Sequence, residues 1–126
     1  MPWAELMPAL AWNADGLLPA IAQRHDTGEM LMMAWMNADA LTETLSTRQT
    51  CYWSRTRQRL WRKGERSGHR QYLIEARLDC DGDYLLLLVE QNGPACHTLR
   101  PNCFYNAIRA DHVEVISYPV SDGIIS

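Results

Sequence analysis

Four things are missing from this 126-residue sequence, and each absence removes a class of protein. No apolar run can cross a bilayer: Tyr84–Val89 is six residues, where a spanning helix needs about 20. The N-terminus, with Pro2, Trp3 and Glu5, lacks the basic segment and apolar core of a secretory leader. A cytoplasmic location is therefore expected, where thiols stay reduced and cysteines read as metal-binding or catalytic before they read as disulfides. The net charge of −3 offers no general attraction to nucleic acid. No repeat, low-complexity tract or linker divides the chain, so residues 1–126 are expected to form one domain.

What is present is unevenly placed. A hydrophobic content of 47% and five tryptophans fit a globular protein. Between Arg48 and Arg70 lie eight of the twelve basic residues and one acid, Glu65, which makes that segment +7 and the remainder −10. A basic island in an acidic chain suits a local anion such as phosphate better than a long polyanion. From Leu78 to Tyr105 stand three of the four cysteines (Cys80, Cys96, Cys103), His97, and the alternating aspartates Asp79, Asp81 and Asp83.

Local patterns predict a β-rich α+β fold, an antiparallel or mixed sheet with one main helix. Turn signals Asn13-Ala-Asp-Gly16 and Asp26-Thr-Gly28 bracket a strand over Leu17–Ala22, and the strand-length run Glu29–Met36 completes a hairpin. Met30, Met32, Met33 and Met36 read as core filling. Asn37 is placed as an N-cap, Asp39 sits in the first turn, and Leu41 and Leu45 repeat at helical spacing up to about Thr47. Thr50–Ser54 should pair with Leu60–Lys63, and Gly64–Gly68 should form a flexible turn. Alternation predicts a half-buried strand over Tyr72–Leu78 with Tyr72, Ile74, Ala76 and Leu78 on one face. Tyr84–Gln91 reads as a strand buried on both faces and Val113–Ser117 as a late strand, while Ser121–Ser126 has little to order it.

The chemistry-bearing groups leave alternatives. Cys80, sixteen residues before Cys96, and Cys103, seven after it, do not match the short-spaced pairs of a structural zinc finger. Three thiolates would leave one tetrahedral position open, and so electron-rich a site needs a proton acceptor nearby, which His97 can supply. Buried free thiols are the other reading, and Cys51, in an aromatic strand, reads as core. Asp79, Asp81 and Asp83 resemble the start of an EF-hand with Glu90 at its twelfth position, but Tyr84 stands where glycine is required. Magnesium at a turn, shared with a substrate phosphate, or a solvated acidic turn remain. Ser54, Arg55 and Arg57, with Lys63, Glu65, Ser67 and Gly68, combine cations, hydroxyls and glycine suited to phosphate; a charged, solvated hairpin edge is the alternative. Trp53 and Trp61 can stack on a base, and Glu65 and His69 are further acid–base candidates.

Taken together and in order, these segments resemble the phosphoribosyl-AMP cyclohydrolase family of histidine biosynthesis. The similarity rests on Asp15-Gly-Leu-Leu-Pro-Ala-Ile-Ala-Gln23, Thr27-Gly-Glu-Met-Leu-Met-Met-Ala-Trp-Met-Asn37, Tyr52-Trp-Ser-Arg-Thr-Arg57 and Leu60-Trp-Arg-Lys-Gly-Glu-Arg-Ser-Gly-His69. It continues through Leu78-Asp-Cys-Asp-Gly-Asp83, Val89-Glu-Gln91, Gly93-Pro-Ala-Cys-His-Thr98 and Cys103-Phe-Tyr105. The resemblance implies hydrolytic opening of the adenine ring of N1-(5-phosphoribosyl)-AMP at the N1–C6 bond. It implies zinc on Cys80, Cys96 and Cys103, with Cys80 coming from the other subunit of an intertwined homodimer, and magnesium on Asp79, Asp81 and Asp83. His97, or else His69, would move the proton. Leu99-Arg-Pro-Asn102 departs from the family's usual glycine and basic pair, and Thr56 replaces a usual serine. Many relatives add a C-terminal pyrophosphohydrolase domain; 126 residues leave no room for one, so a single-activity form is expected. A small zinc-containing RNA-binding module is the non-enzyme alternative. A zinc nucleobase deaminase is the other enzyme reading, and its His-x-Glu and Cys-x-x-Cys spacings are missing.

Overall fold

The first hairpin organises the sheet. In the computed structural model, which describes residues 1–120, strand β1 (Leu18–Arg24) runs antiparallel to β2 (Met30–Met36). Leu18, Ala20 and Ala22 of β1 face inward at alternate positions. The register slips between Ala22 and Gln23, a bulge that lets neighbouring Leu31 and Met32 both enter the core. Asn37 then caps helix α2 (Ala38–Thr47), its Oδ1 accepting from the Ala40 N–H at 2.8 Å. A short N-terminal helix, α1 (Trp3–Leu6), precedes β1; the sequence reading did not anticipate it.

Beyond α2 come β3 (Cys51–Ser54) and β4 (Arg59–Arg62), then β5 (Gln71–Leu78) and β6 (Leu85–Gln91). The sheet order is β4-β3-β2-β1-β6-β5, mixed because β1 and β6 are parallel. It also curls back on itself. Just before β3, the Thr50 N–H donates to the Gln71 carbonyl (3.0 Å) and the Leu73 N–H to the Arg48 carbonyl (2.7 Å), so the far strand β5 meets the other side of the sheet. Inside the curl lie Leu18, Leu31, Met36, Tyr52, Leu87 and Val89, all essentially inaccessible. Burying each large apolar side chain contributes about 1.5–3 kcal/mol. The small Ala20 and Ala22 share one close-packed core with the large Tyr52 ring. A small hairpin, β7 (Asn106–Ile108) and β8 (Val113–Val115), stands apart from the sheet. Among the described residues no helix is long and apolar enough to cross a membrane.

The structure corrects four expectations. On β5 the buried apolar residue is Leu73, not Ile74, which is 47% exposed. A bulge between Leu73 and Glu75 takes up Ile74 as the extra residue and flips the alternation. Strand β6 is fully buried on one face only, through Leu85, Leu87 and Val89, with Leu86 and Leu88 half-covered. Met32 and Met36 fill the core, but Met30 and Met33 lie open on the opposite face of β2. The late strand is shorter than expected, ending at Val115. The expectation for residues 121–126 lies outside the described residues.

Candidate active site

A cleft of about 340 Å3 opens between the chain that leaves β4 and the loop that leaves β6. Trp61 on β4 supplies its flat apolar wall, held from behind by the buried Tyr52 ring at 5.1 Å. Arg57, Arg59, Arg62, Lys63 and Arg66 supply positive charge, and Glu65 is the one acid on the wall. Ser67, His69, Cys96 and His97 complete it. Two glycines let the walls approach. A Cβ on Gly64 would fall 2.5 Å from the Arg70 nitrogen, and one on Gly93 would fall 2.6 Å from Cδ2 of the His69 ring. The β6 loop thus lies flat against His69.

Not every cation is available to a ligand. Arg62 forms a forked pair with Glu43 at 2.6 and 2.7 Å, and the Lys63 ammonium donates to the Ala95 carbonyl. Burial lowers the Lys63 pKa, opposed by the nearby Cys103 and Cys96 sulfurs. Among the described residues Arg57, Arg59 and Arg66 have no carboxylate partner, which leaves them to an anion.

All four cysteines are free thiols. Cys96, buried in the β6 loop, meets Cys103 within hydrogen-bonding reach and accepts from the Thr98 hydroxyl at 3.0 Å. Burial works against its thiolate, but the Thr98 hydroxyl and N–H, the Cys103 thiol and Lys63 outweigh it, so Cys96 titrates below an ordinary thiol. Cys103 is desolvated where it faces Cys96 and is pushed up to about 11. The loop between them turns at Leu99, whose φ of 66° is the left-handed conformation that glycine adopts at little cost. Cys51, by contrast, is inaccessible in the core and raised to about 12 by burial, as a structural thiol should be.

Cys80 is elsewhere. It sits on the β5–β6 turn, while Cys96 lies beyond the other end of β6, whose seven residues span roughly 20 Å. One copy of the chain cannot gather all three thiols. Beside Cys80, ligand atoms of Asp79 and Asp81 lie within 4.8 Å of it and of each other. Asp79 Oδ1 accepts from the Asp83 and Tyr84 N–H groups at 2.9 and 3.1 Å. Desolvation opposes its ionisation, but these bonds prevail and lower its pKa; desolvation and the adjacent Asp79 raise that of Asp83. Among the described residues Asp83 Oδ1 is buried without a hydrogen-bond partner, an orphaned acceptor that suits a cation. The aspartate turn therefore fits magnesium in donor type, and the adjacent thiols of Cys96 and Cys103, of which Cys96 is poised toward thiolate, fit half a zinc site in donor type.

The cleft gathers Arg57, Trp61, Lys63, Glu65, Ser67, His69 and His97 from the sequence reading. It does not gather Ser54, Arg55 or Gly68. Ser54 Oγ accepts from the Arg57 N–H (3.2 Å) and shapes the β3–β4 turn. Arg55 lies over the Trp35 ring at 4.7 Å, facing a separate hollow with Asp15 and Asn37. The Gly68 carbonyl accepts from the Asn92 side chain at 3.1 Å. Arg59 was missed as a cleft residue, although its alternation with Trp61 and Lys63 would have placed it there. Thr98 stands in the Gly93–Thr98 segment but had no role assigned to it, because its bond to Cys96 depends on the loop.

Fold and site define a class: a rolled, mixed-sheet α+β domain carrying an arginine-rich cleft beside paired thiols. The family model described as phosphoribosyl-AMP cyclohydrolase matches residues 32–105. The chain is 70% identical to phosphoribosyl-AMP cyclohydrolase 2 of Pseudomonas fluorescens, over 96% of this chain and 84% of the relative. It is 64% identical to the phosphoribosyl-AMP cyclohydrolase of Alkalilimnicola ehrlichii, over 93% and 82%. With that of Acidiphilium cryptum it shares 62% identity over 89% and 97%. The chain belongs to the phosphoribosyl-AMP cyclohydrolase family and is an enzyme.

Proposed function

We propose that this chain opens the adenine six-membered ring of N1-(5-phosphoribosyl)-AMP, the third step of histidine biosynthesis, as a zinc-dependent cytoplasmic homodimer. The observation that carries the reading is the cleft itself, where Trp61 and unpaired arginines share the walls with His97 and with Cys96, the neighbour of Cys103. Water adds at C6, the N1–C6 bond breaks, and the departing amidine nitrogen takes a proton. Trp61 stacks on the purine, and Arg57, Arg59 and Arg66 hold the two phosphate groups. His97, with His69 as the alternative, accepts the proton of the attacking water and returns it to N1.

Cys96 and Cys103, with Cys80 of a second copy, would hold zinc; when bound it supplies Lewis-acid activation of water. Asp79, Asp81 and Asp83 would hold magnesium, whose charge suits substrate phosphate oxygens. A second copy is supported by the separation of Cys80 from the other thiols. The exposed apolar surface of Met30, Met33 and Phe104, next to Cys103, supports it as well.

The test is ultraviolet absorbance of N1-(5-phosphoribosyl)-AMP with the protein, before and after chelation and zinc restoration. Turnover that vanishes on chelation and returns with zinc supports the reading. An unchanged spectrum with folded, zinc-loaded protein defeats it. His97→Ala should lose turnover while keeping zinc, and near-normal turnover would remove His97 from the role.

A further inference from the structure

Two glutamine side chains stand in the core where apolar ones would serve packing better. Gln71 opens β5, Gln91 closes β6, and the two are cross-strand partners, 0% and 6% exposed. Gln71 Oε1 accepts from the Tyr52 hydroxyl at 2.7 Å and from Thr50 Oγ1 at 2.9 Å. Its Nε2 donates to Gln91 Oε1 at 2.9 Å and reaches Met32 Sδ at 3.3 Å. Gln91 Nε2 in turn donates to the backbone carbonyls of His69 and Asn92, each at 3.3 Å. Every link is satisfied, so the network tolerates one arrangement only. A buried amide offers no packing gain over leucine and becomes costly if a partner is lost.

Its end point gives it a use. His69 and Asn92 belong to the two segments that form opposite walls of the cleft, and these are also tied by the Asn92 N–H to the Arg70 carbonyl at 2.9 Å. We infer that Gln71 and Gln91 are positioning residues for the reaction, holding the His69 segment and the Cys96–His97 loop at their working separation through the Tyr52–Gln71–Gln91 chain. Neither side chain lines the cleft, so both act through the backbone of groups that do. The inference rests on the proposed cyclohydrolase reading for its kinetic arm.

The variant is Gln91→Met, which keeps volume and chain flexibility while removing both amide ends. Turnover of N1-(5-phosphoribosyl)-AMP should fall about 10- to 100-fold in kcat, because small misplacements of reacting groups are that costly. KM should stay within about twofold, since the phosphate contacts are untouched. Val89→Ala, a core truncation on the same strand outside the network, is the control and should keep kcat; an equal kcat loss in both variants overturns the inference. Should Gln91→Met not fold, Tyr52→Phe deletes the first donor with little change of shape and should lower kcat in the same direction. Unchanged kcat in either folded network variant also overturns it. With four histidines in the chain, imidazole NMR gives a readout free of activity. His69 resonances should move in Gln91→Met while those of His25 and His112 stay, and a stationary His69 overturns the inference. If the unaltered protein itself fails to turn over the substrate, the functional reading fails and the NMR result alone decides the positioning role.

Discussion

Thr98 offers a sharp test of how the cleft prepares its thiols. Its hydroxyl donates to Cys96 Sγ at 3.0 Å, and Cys96 is only 4% exposed, so solvent cannot replace the bond. Thr98→Val keeps the shape and the backbone N–H but deletes the hydroxyl. A hydrogen bond to a charged acceptor contributes about 1.5–3 kcal/mol. At about 1.4 kcal/mol per decade, that corresponds to a 10- to 100-fold loss of affinity at the proposed zinc site, the range typical when a ligand's supporting partner is removed. The sign follows from which state is lost: the hydroxyl stabilises the thiolate, so in metal-free protein the Cys96 thiol must titrate higher. Competition with a chromophoric chelator measures the zinc Kd, and ultraviolet thiolate absorbance against pH measures the titration. An unchanged Kd together with an unchanged titration would refute the claim that Thr98 poises Cys96.

Three further outcomes are expected. Arg66→Ala should raise KM several-fold with kcat nearly constant, because an unpaired cleft arginine contributes binding common to ground and transition states; a kcat-only effect would contradict an anion-holding role. Glu43→Gln breaks the forked pair with the half-exposed Arg62 and should cost about 0.5–1 kcal/mol near neutral pH. The Arg62 hydrogen bond holds Glu43 below its ordinary value of 4.5, so the wild-type advantage exists above that value and disappears as pH falls through the lowered one; urea unfolding across that range checks it. Asn37→Ala removes the cap of α2 and should cost about 1 kcal/mol in thermal or urea unfolding without changing kcat.

The sequence alone determined whatever short-range rules encode. Asn13 and Asp26-Thr-Gly28 mark turns through their own backbone preferences, and the structure has both. Asn37, Leu41 and Leu45 place α2 to within a residue, because capping and helical spacing operate within a few residues. The basic island and the cysteine-histidine segment were legible as chemistry, since charge and thiols are visible without coordinates. Tertiary structure decided what depends on distant partners. The bulge at Ile74 exists because β5 must register against β6, and it reversed a face assignment that alternation had made. Arg55 turned to Trp35 and out of the cleft, a choice that belongs to the neighbouring strand. Three cysteines close in sequence were divided by the length of β6, two at one end and one at the other. Gln71 and Gln91, unremarkable polar letters twenty residues apart, became one hydrogen-bonded chain only because the sheet pairs them in the dark of its core.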